Sequence, residues 1–418
     1  MADPTGIHAR RAALKMLDAV LRRGETLEQA SPAALRDVRD ANDKALARAI
    51  AGETLRWLTD LDTLIDSATK QRLPDDAKPR MVLRTMLAQS LRLGTPPHAV
   101  IGTGLPLLAG GPRRLAHGVF STLVKRDVIL PEVPTLPDAV VERWGARAAA
   151  IAPGLVNPPE VDLHIKTAEE TAQWQAKLGG VSLAPGHVRV PRGTAIEKLE
   201  GYTEGAWWVQ DLAAMIPAMV LGAGNGRSAL DLCAAPGGKT MALAAAGWKV
   251  TALDLSKRRL DVLKDNLGRT GLKASSVRAD ALTWEPKHQF DAILIDAPCT
   301  ATGTCRRHPD VLHRIGARQI TEMIELQRAL MVKAAGWLKP GGALVYAVCS
   351  LEREEGEAQA AWIDAELGLT PDPITPEELP AGLTPTPEGW VRTYPGMLGA
   401  EGGLDGFFVG RWRATDCV

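Results

Sequence analysis

The chain has no apolar run approaching the roughly 18 uninterrupted residues that a membrane span needs. Its start, Met1-Ala-Asp-Pro-Thr-Gly-Ile-His-Ala-Arg-Arg, carries no apolar signal segment. A cytoplasmic protein without a membrane partner is expected. Cysteine is scarce: Cys233, Cys299, Cys305, Cys349 and Cys417 make an odd count of five in 418 residues. In a large chain without export signals this argues against a disulfide framework and leaves reactive or metal-binding roles. Net charge is absent too, with 49 Lys/Arg against 49 Asp/Glu. That excludes a uniformly basic nucleic-acid binder but not one with a basic patch. Internal repeats and low-complexity tracts are also missing.

What is present is ordinary globular material, 45% apolar and 23% charged. The length exceeds the size at which one hydrophobic core stops growing, so several domains are expected. Charge is uneven along them. Residues 1–130 hold 20 Lys/Arg against 14 Asp/Glu, which makes the amino-terminal part the better candidate for touching phosphates.

From Ile7 to about Arg126 apolar residues recur at three-and-four spacing, as in Ala13, Leu14, Leu17, Val20 and Leu21. Asp43 is expected to cap a long helix through Leu46, Ile50, Leu55, Leu58 and Leu61, and Val82, Met86, Leu87 and Leu91 form a third stripe. Breaks at Leu73-Pro-Asp-Asp, Gly94-Thr-Pro-Pro and Gly110-Gly-Pro divide an all-α bundle over residues 1–130. Pro131-Glu-Val-Pro-Thr-Leu-Pro reads as a linker into a small α+β connector over 131–220. From 221 to 418 strand and helix alternate. The strands are Ala229-Leu-Asp-Leu, Lys249 to Leu255, Ser275 to Asp280, Phe290 to Asp296 and Ala343 to Val348; the clearest helices are Lys257 to Arg269 and Ala317 to Trp337. That rhythm predicts an α/β, Rossmann-like parallel sheet covered on both faces, with ligands at the carboxyl ends of its strands.

The first of these strands leads into Cys233-Ala234-Ala235-Pro236-Gly237-Gly238-Lys239-Thr240, which opens a helix. Small residues let the backbone approach a ligand, and free amides at a helix start favour anionic or polar groups. Asp254 ends the second strand, where a carboxylate can accept hydrogen bonds from ribose hydroxyls, and Asp280 and Asp296 end the next two. A nucleoside-containing cofactor follows. A P-loop needs glycine where Cys233 stands. Gly222-Ala-Gly-Asn-Gly-Arg resembles a dinucleotide fingerprint but ends on Arg227 and precedes its strand.

Two strands end in cysteine, Asp296-Ala-Pro-Cys299 and Val348-Cys349-Ser350. Cysteines there are often small buried hydrophobes. Two beside a nucleoside cofactor point instead to thiol chemistry. Carbon 5 of cytosine becomes nucleophilic once a thiolate adds at carbon 6. A carboxyl group at ring nitrogen 3 and a helper base or thiol complete the requirements. The base must also leave its stack. Zinc is the rival reading, since Cys299, Cys305, His308 and His313 share one loop, but their spacing departs from common knuckles and no metal is expected. Glu352-Arg-Glu-Glu-Gly-Glu reads as an exposed, dipole-favoured helix start.

Asp231-Leu-Cys-Ala-Ala-Pro-Gly-Gly-Lys-Thr, Asp296-Ala-Pro-Cys-Thr-Ala-Thr-Gly-Thr-Cys-Arg-Arg-His-Pro-Asp and Val348-Cys-Ser together resemble the motifs of the RsmB-type (Sun-type) RNA cytosine-5 methyltransferases. The amino-terminal helices resemble their NusB-like RNA-binding domain, and Trp208-Val-Gln-Asp fits the segment before the cofactor domain. The resemblance implies a class I methyltransferase domain using S-adenosyl-L-methionine, with Cys349 as nucleophile, Cys299 assisting release and Asp296 at the base. It implies that Cys233, Ala234, Ala235, Pro236, Gly237, Gly238, Lys239, Asp254, Asp280 and Asp296 contact the cofactor. DNA cytosine methyltransferases use the Pro-Cys cysteine instead, so the swapped assignment stays open. The resemblance implies RNA as substrate, small-subunit (16S) ribosomal RNA first and transfer RNA as the alternative; Arg306, Arg307 and His308 are expected to face RNA phosphate, a solvated loop being the other reading of them. A monomer is expected. An inactive RNA-binding assembly factor is the alternative of another class. Val348 stands where the family has Thr, and Thr300 where Ser is typical; both are expected to alter a hydroxyl near a thiol.

Overall fold

The structure, a computed structural model, describes residues 6–415. Cys417 lies outside them. The chain divides into two compact units: residues 1–157 with 305–315, and 158–304 with 316–418.

The first unit is helical. In Ile7–Arg23 the residues Ala9, Ala12, Ala13, Met16, Leu17 and Val20 are buried, and Gly24 ends the helix at φ 70° with its N–H on the Ala19 and Val20 carbonyls. Asp40, not Asp43, caps the helix Ala41–Arg56 by accepting from the backbone of Asn42 and Asp43. The single long helix expected there breaks at Trp57 and resumes as Leu58–Ser67. The helix Lys78–Leu91 is buried nearly all round, its charges included: Arg80 and Arg84 fork onto Asp62 and Asp66 at 2.6–3.0 Å. Buried guanidinium groups need such partners, because an unpaired buried charge costs several kcal/mol.

This unit runs past the proline linker, which corrects the expected boundary at 130. Arg56 donates to the Leu155 carbonyl at 2.9 Å, and Arg92 donates to the Val156 carbonyl at 2.7 Å and to Asn157. It also takes in residues 305–315. His313 Nε2 lies 2.7 Å from the Leu55 carbonyl, and Arg56 donates to the Arg306 carbonyl at 2.7 Å.

The second unit begins with an antiparallel sheet of β1 (Val161–Ile165), β2 (His187–Val190) and β3 (Trp207–Val209), in the order β2-β1-β3. The larger sheet contains β4 (Ser228–Leu232), β5 (Lys249–Asp254), β6 (Ala274–Arg278), β7 (Phe290–Asp296) and β8 (Leu338–Val348). It is completed by β9 (Leu369–Pro371), β10 (Val391–Thr393) and β12 (Phe407–Ala414), while β11 (Pro395–Leu398) precedes the last. Its order is β10-β12-β8-β7-β4-β5-β6, with β9 also on β12. From β8 to β6 all pairs are parallel; β12 is antiparallel to β8, β9 and β10. The sheet is therefore mixed, not wholly parallel as the sequence suggested. One apolar cluster, with Leu243, Leu263 and Val345, fills one face, and another, with Ile293, Met331 and Val348, fills the other. From β4 the chain steps outward through β5 to β6 and then crosses back to β7 on the other side of β4, and at such a switch point a crevice opens outside the strand ends.

Among the described residues no helix is long and apolar enough to cross a membrane.

Candidate active site

Five strands, β4 to β8, carry the predicted residues at or just beyond their carboxyl ends. Near the end of β4, Asp231 is wholly buried and receives the Thr240 hydroxyl, while its Oδ1 finds no hydrogen-bond partner among the described residues. Burial, reinforced by the charges of Asp296 and Asp254, pushes its carboxyl up to about 7 against the Thr240 bond that pulls it down. Cys233 follows at φ 59°, its thiol pushed up to about 12 by burial and the three nearby carboxylates. Gly237, at φ 107°, stands before the helix Gly238–Ala245; a Cβ there would meet Leu263 at 2.9 Å, so the turn admits glycine alone.

At the end of β5, Asp254 accepts from the backbone of Ala235 at 3.1 Å and of Ser256 at 2.8 Å, which ties the glycine turn to the next helix. Asp280 stands exposed after β6 and accepts from Leu282. A cleft of about 460 Å³ runs past Cys233, Asp254, Ser256, Asp280 and Leu282, with Leu326 and Leu330 as apolar wall.

At the end of β7 Asp296 accepts from Lys239 Nζ at 2.7 Å. Lys239 is buried, which disfavours its charge, yet Asp296 and then Cys349 outweigh that and hold the ammonium charged. Three residues on, Cys299 Sγ lies 3.5 Å from Cys349 Sγ beyond β8. The hydrogen bond to Cys349, then burial, then the charges of Cys349 and Glu355 raise the Cys299 thiol well above the ordinary range. Gly303 closes the loop between them: its N–H donates to the Cys349 carbonyl at 3.0 Å, and its carbonyl receives the Gly406 N–H at 2.8 Å.

Several expectations need correction. Val348 packs into the apolar cluster on the sheet face opposite Cys349, so a hydroxyl there would not reach the thiol. The Thr300 hydroxyl is retained in a network, on Glu355 and 3.2 Å from Ser350. The acidic run is not an exposed helix start: Glu352 and Glu355 are 1% and 0% exposed, and the helix begins only at Glu357. Arg306, expected on phosphate, is 2% exposed within the helical unit; Arg307 is half-buried and His308 exposed. Among the described residues no three His, Cys, Asp or Glu side chains gather as a metal ion requires. The sequence reading passed over Glu355, and over Lys239 as the partner of Asp296. An acidic cluster in solvent gives the same charge pattern as one buried carboxylate within it.

Residues 218–412 match the family model described as 16S rRNA methyltransferase RsmB/F, and residues 7–106 match the NusB family. "Ribosomal RNA small subunit methyltransferase B" of Klebsiella pneumoniae subsp. pneumoniae is 32% identical over 97% of this chain and 98% of its own. A solved methyltransferase homolog protein from Pyrococcus horikoshii is 27% identical over 66% of this chain and 93% of its own, with a TM-score of 0.56. NSun6 from the same organism, solved with SFG, shares the fold at 20% identity over 67% of this chain and 99% of its own, with a TM-score of 0.58. With an amino-terminal NusB-like unit and a Rossmann-like catalytic domain, the chain belongs to the RsmB/F family of 16S rRNA methyltransferases.

Proposed function

We propose that this protein methylates carbon 5 of a cytidine in small-subunit ribosomal RNA, with Cys349 as the covalent nucleophile. The observation that carries the reading is the 3.5 Å approach of the two thiols beside the Asp296–Lys239 pair.

The cleft residues fit S-adenosyl-L-methionine. Asp231 has an unpartnered buried oxygen toward a cationic or N–H group, Asp254 and Asp280 suit ribose hydroxyls, and the turn from Cys233 through Ala234, Ala235, Pro236, Gly237 and Gly238 admits close backbone approach. When bound, the cofactor supplies the methyl group, carried on a positively charged sulfur, that carbon 5 takes up.

The chain's own residues do the rest. The Lys239 ammonium lies within electrostatic reach of Cys349, and the Cys349 sulfur bonds to carbon 6, turning carbon 5 into an enamine-like nucleophile. As carbon 6 takes the sulfur, the displaced electron pair is taken up at nitrogen 3 with a proton, and the Asp296 carboxylate accepts a hydrogen bond from that N3–H. After methylation carbon 5 gives its proton to a base, the C–H electron pair re-forms the ring double bond, and Cys349 leaves with the sulfur–carbon pair. Cys299, neutral and within reach, can hydrogen-bond to the departing sulfur while keeping its own proton. This division of labour favours Cys349 over the swapped assignment. In the segment 305–315, His308 is the exposed residue that suits phosphate contact, while Arg306 is buried within the helical unit.

Mapping 5-methylcytidine in 16S ribosomal and transfer RNA from cells with and without the gene tests substrate and position together. One site lost from 16S RNA is expected; loss confined to transfer RNA, or no loss, contradicts the reading.

A further inference from the structure

The two cysteine loops are held by a residue outside all three motifs. Glu355 is wholly buried, and its carboxylate receives four hydrogen bonds. Oε2 accepts from the Thr300 backbone at 3.0 Å and from Gln327 Nε2 at 2.9 Å; Oε1 accepts from Ser350 Oγ at 2.8 Å and from the Thr300 hydroxyl. Thr300 adjoins Cys299 and Ser350 adjoins Cys349, so one side chain clasps the residue next to each thiol. Gln327 strengthens the clasp by donating to the Pro298 carbonyl at 2.9 Å and is itself held by Gln359 at 3.0 Å. The Thr302 hydroxyl adds a bridge, 3.3 Å from Ser350 Oγ and accepting from the Leu351 N–H at 3.0 Å.

We propose that Glu355 is a positioning residue: it fixes the loop bearing Cys299 against the loop bearing Cys349 and keeps the two thiols in apposition. The proposal rests on the assignment of these thiols as the working pair. Two of the four partners, the Thr300 N–H and the Gln327 amide, can only donate, and hydrogen bonds of this kind favour the anion. Burial alone pushes its pKa up, and the four bonds oppose that. The anion also acts on Cys299, keeping that thiol neutral. The titratable and charged groups around Cys299 are Cys349, Glu355 and Tyr346, whose hydroxyl donates to the Glu355 carbonyl at 2.7 Å, with Arg392 on the Ser350 carbonyl.

The test reads thiols alone, so its failure is separable from failure of methyl transfer. Phenylarsine oxide condenses with two apposed thiols, forming two As–S bonds and releasing water. Full-length protein, Glu355→Ala and Glu355→Gln are treated with it and challenged with a monothiol, and the bridged peptides are mapped by mass spectrometry. The native protein should carry one arsenical across Cys299 and Cys349. Glu355→Ala, leaving four donors unpaired, should hold it roughly tenfold less tightly or more. Glu355→Gln keeps the shape and one acceptor oxygen and should retain the bridge. Because it lacks the charge, its iodoacetamide profile at Cys299 should move to lower pH. A folded Glu355→Ala with undiminished bridging overturns the proposal. Should that variant not fold, an unmoved Cys299 profile in Glu355→Gln overturns it instead.

Discussion

At the scale of single residues, the site works by placing unlike charges beside two chemically identical groups. Cys349 is within electrostatic reach of the Lys239 ammonium and Cys299 within that of the Glu355 carboxylate, and the hydrogen bond to Cys349, burial and the charges of Cys349 and Glu355 hold the Cys299 thiol above its ordinary range. Gly303 makes their approach possible, since a Cβ there would lie 1.9 Å from the Gly406 carbonyl oxygen and 2.9 Å from that of Cys349. Gly303→Ala should therefore destabilise the catalytic unit by roughly 1–3 kcal/mol and depress turnover more than cofactor affinity, as single-turnover kinetics beside calorimetric titration would reveal. Asp231 makes a second prediction. Its pKa, about 7 in the folded protein, is far above the ordinary carboxylate value, so the folded state binds more protons than the unfolded state between about pH 4 and 7. Its contribution to stability is then present at low pH and lost as pH rises through that window. Melting curves of cofactor-free Asp231→Asn should fall less from pH 5 to 7 than those of the native protein; parallel curves would refute the buried carboxyl.

At the scale of elements, much was legible because the local signals and the tertiary outcome coincide. The five predicted strands of the parallel block, the glycine turn and the two long helices appear nearly where the apolar pattern and small residues put them. The antiparallel strands β9, β10 and β12 were not legible. They are short, or, like Phe407–Ala414, buried on both faces, and so show no alternation of period two. The acidic turn before Glu357 misled for the opposite reason: its charge pattern is that of a solvated helix start, and only tertiary contacts make Glu355 a buried acceptor. Capping shows the same sensitivity. Asp40→Ala should cost the helical unit about 1 kcal/mol while Asp43→Ala costs almost nothing, and urea midpoints of the two variants decide between these caps.

At the scale of the whole molecule, the limits of each unit were the least legible feature, because they depend on side chains that reach across long stretches of sequence. Prolines near residue 131 suggested a boundary, but Arg56 and Arg92 bind carbonyls of Leu155 and Val156, and Arg56 also binds that of Arg306. A fragment of residues 1–157 should resist limited proteolysis better than one of 1–130, and adding the peptide 305–315 should protect it further. Equal digestion rates would place the limit at the prolines after all.

The central claim is that a sulfur of this chain bonds transiently to the pyrimidine. The most direct measurement incubates unmodified 16S RNA and S-adenosyl-L-methionine with the native protein, Cys299→Ala and Cys349→Ala, then resolves the products under denaturing conditions and sequences any crosslinked peptide. Cys349→Ala should lose turnover by roughly 10³-fold or more and form no adduct, while Cys299→Ala should accumulate an RNA adduct joined through Cys349. An adduct through any other residue, or normal turnover by Cys349→Ala, would contradict the account.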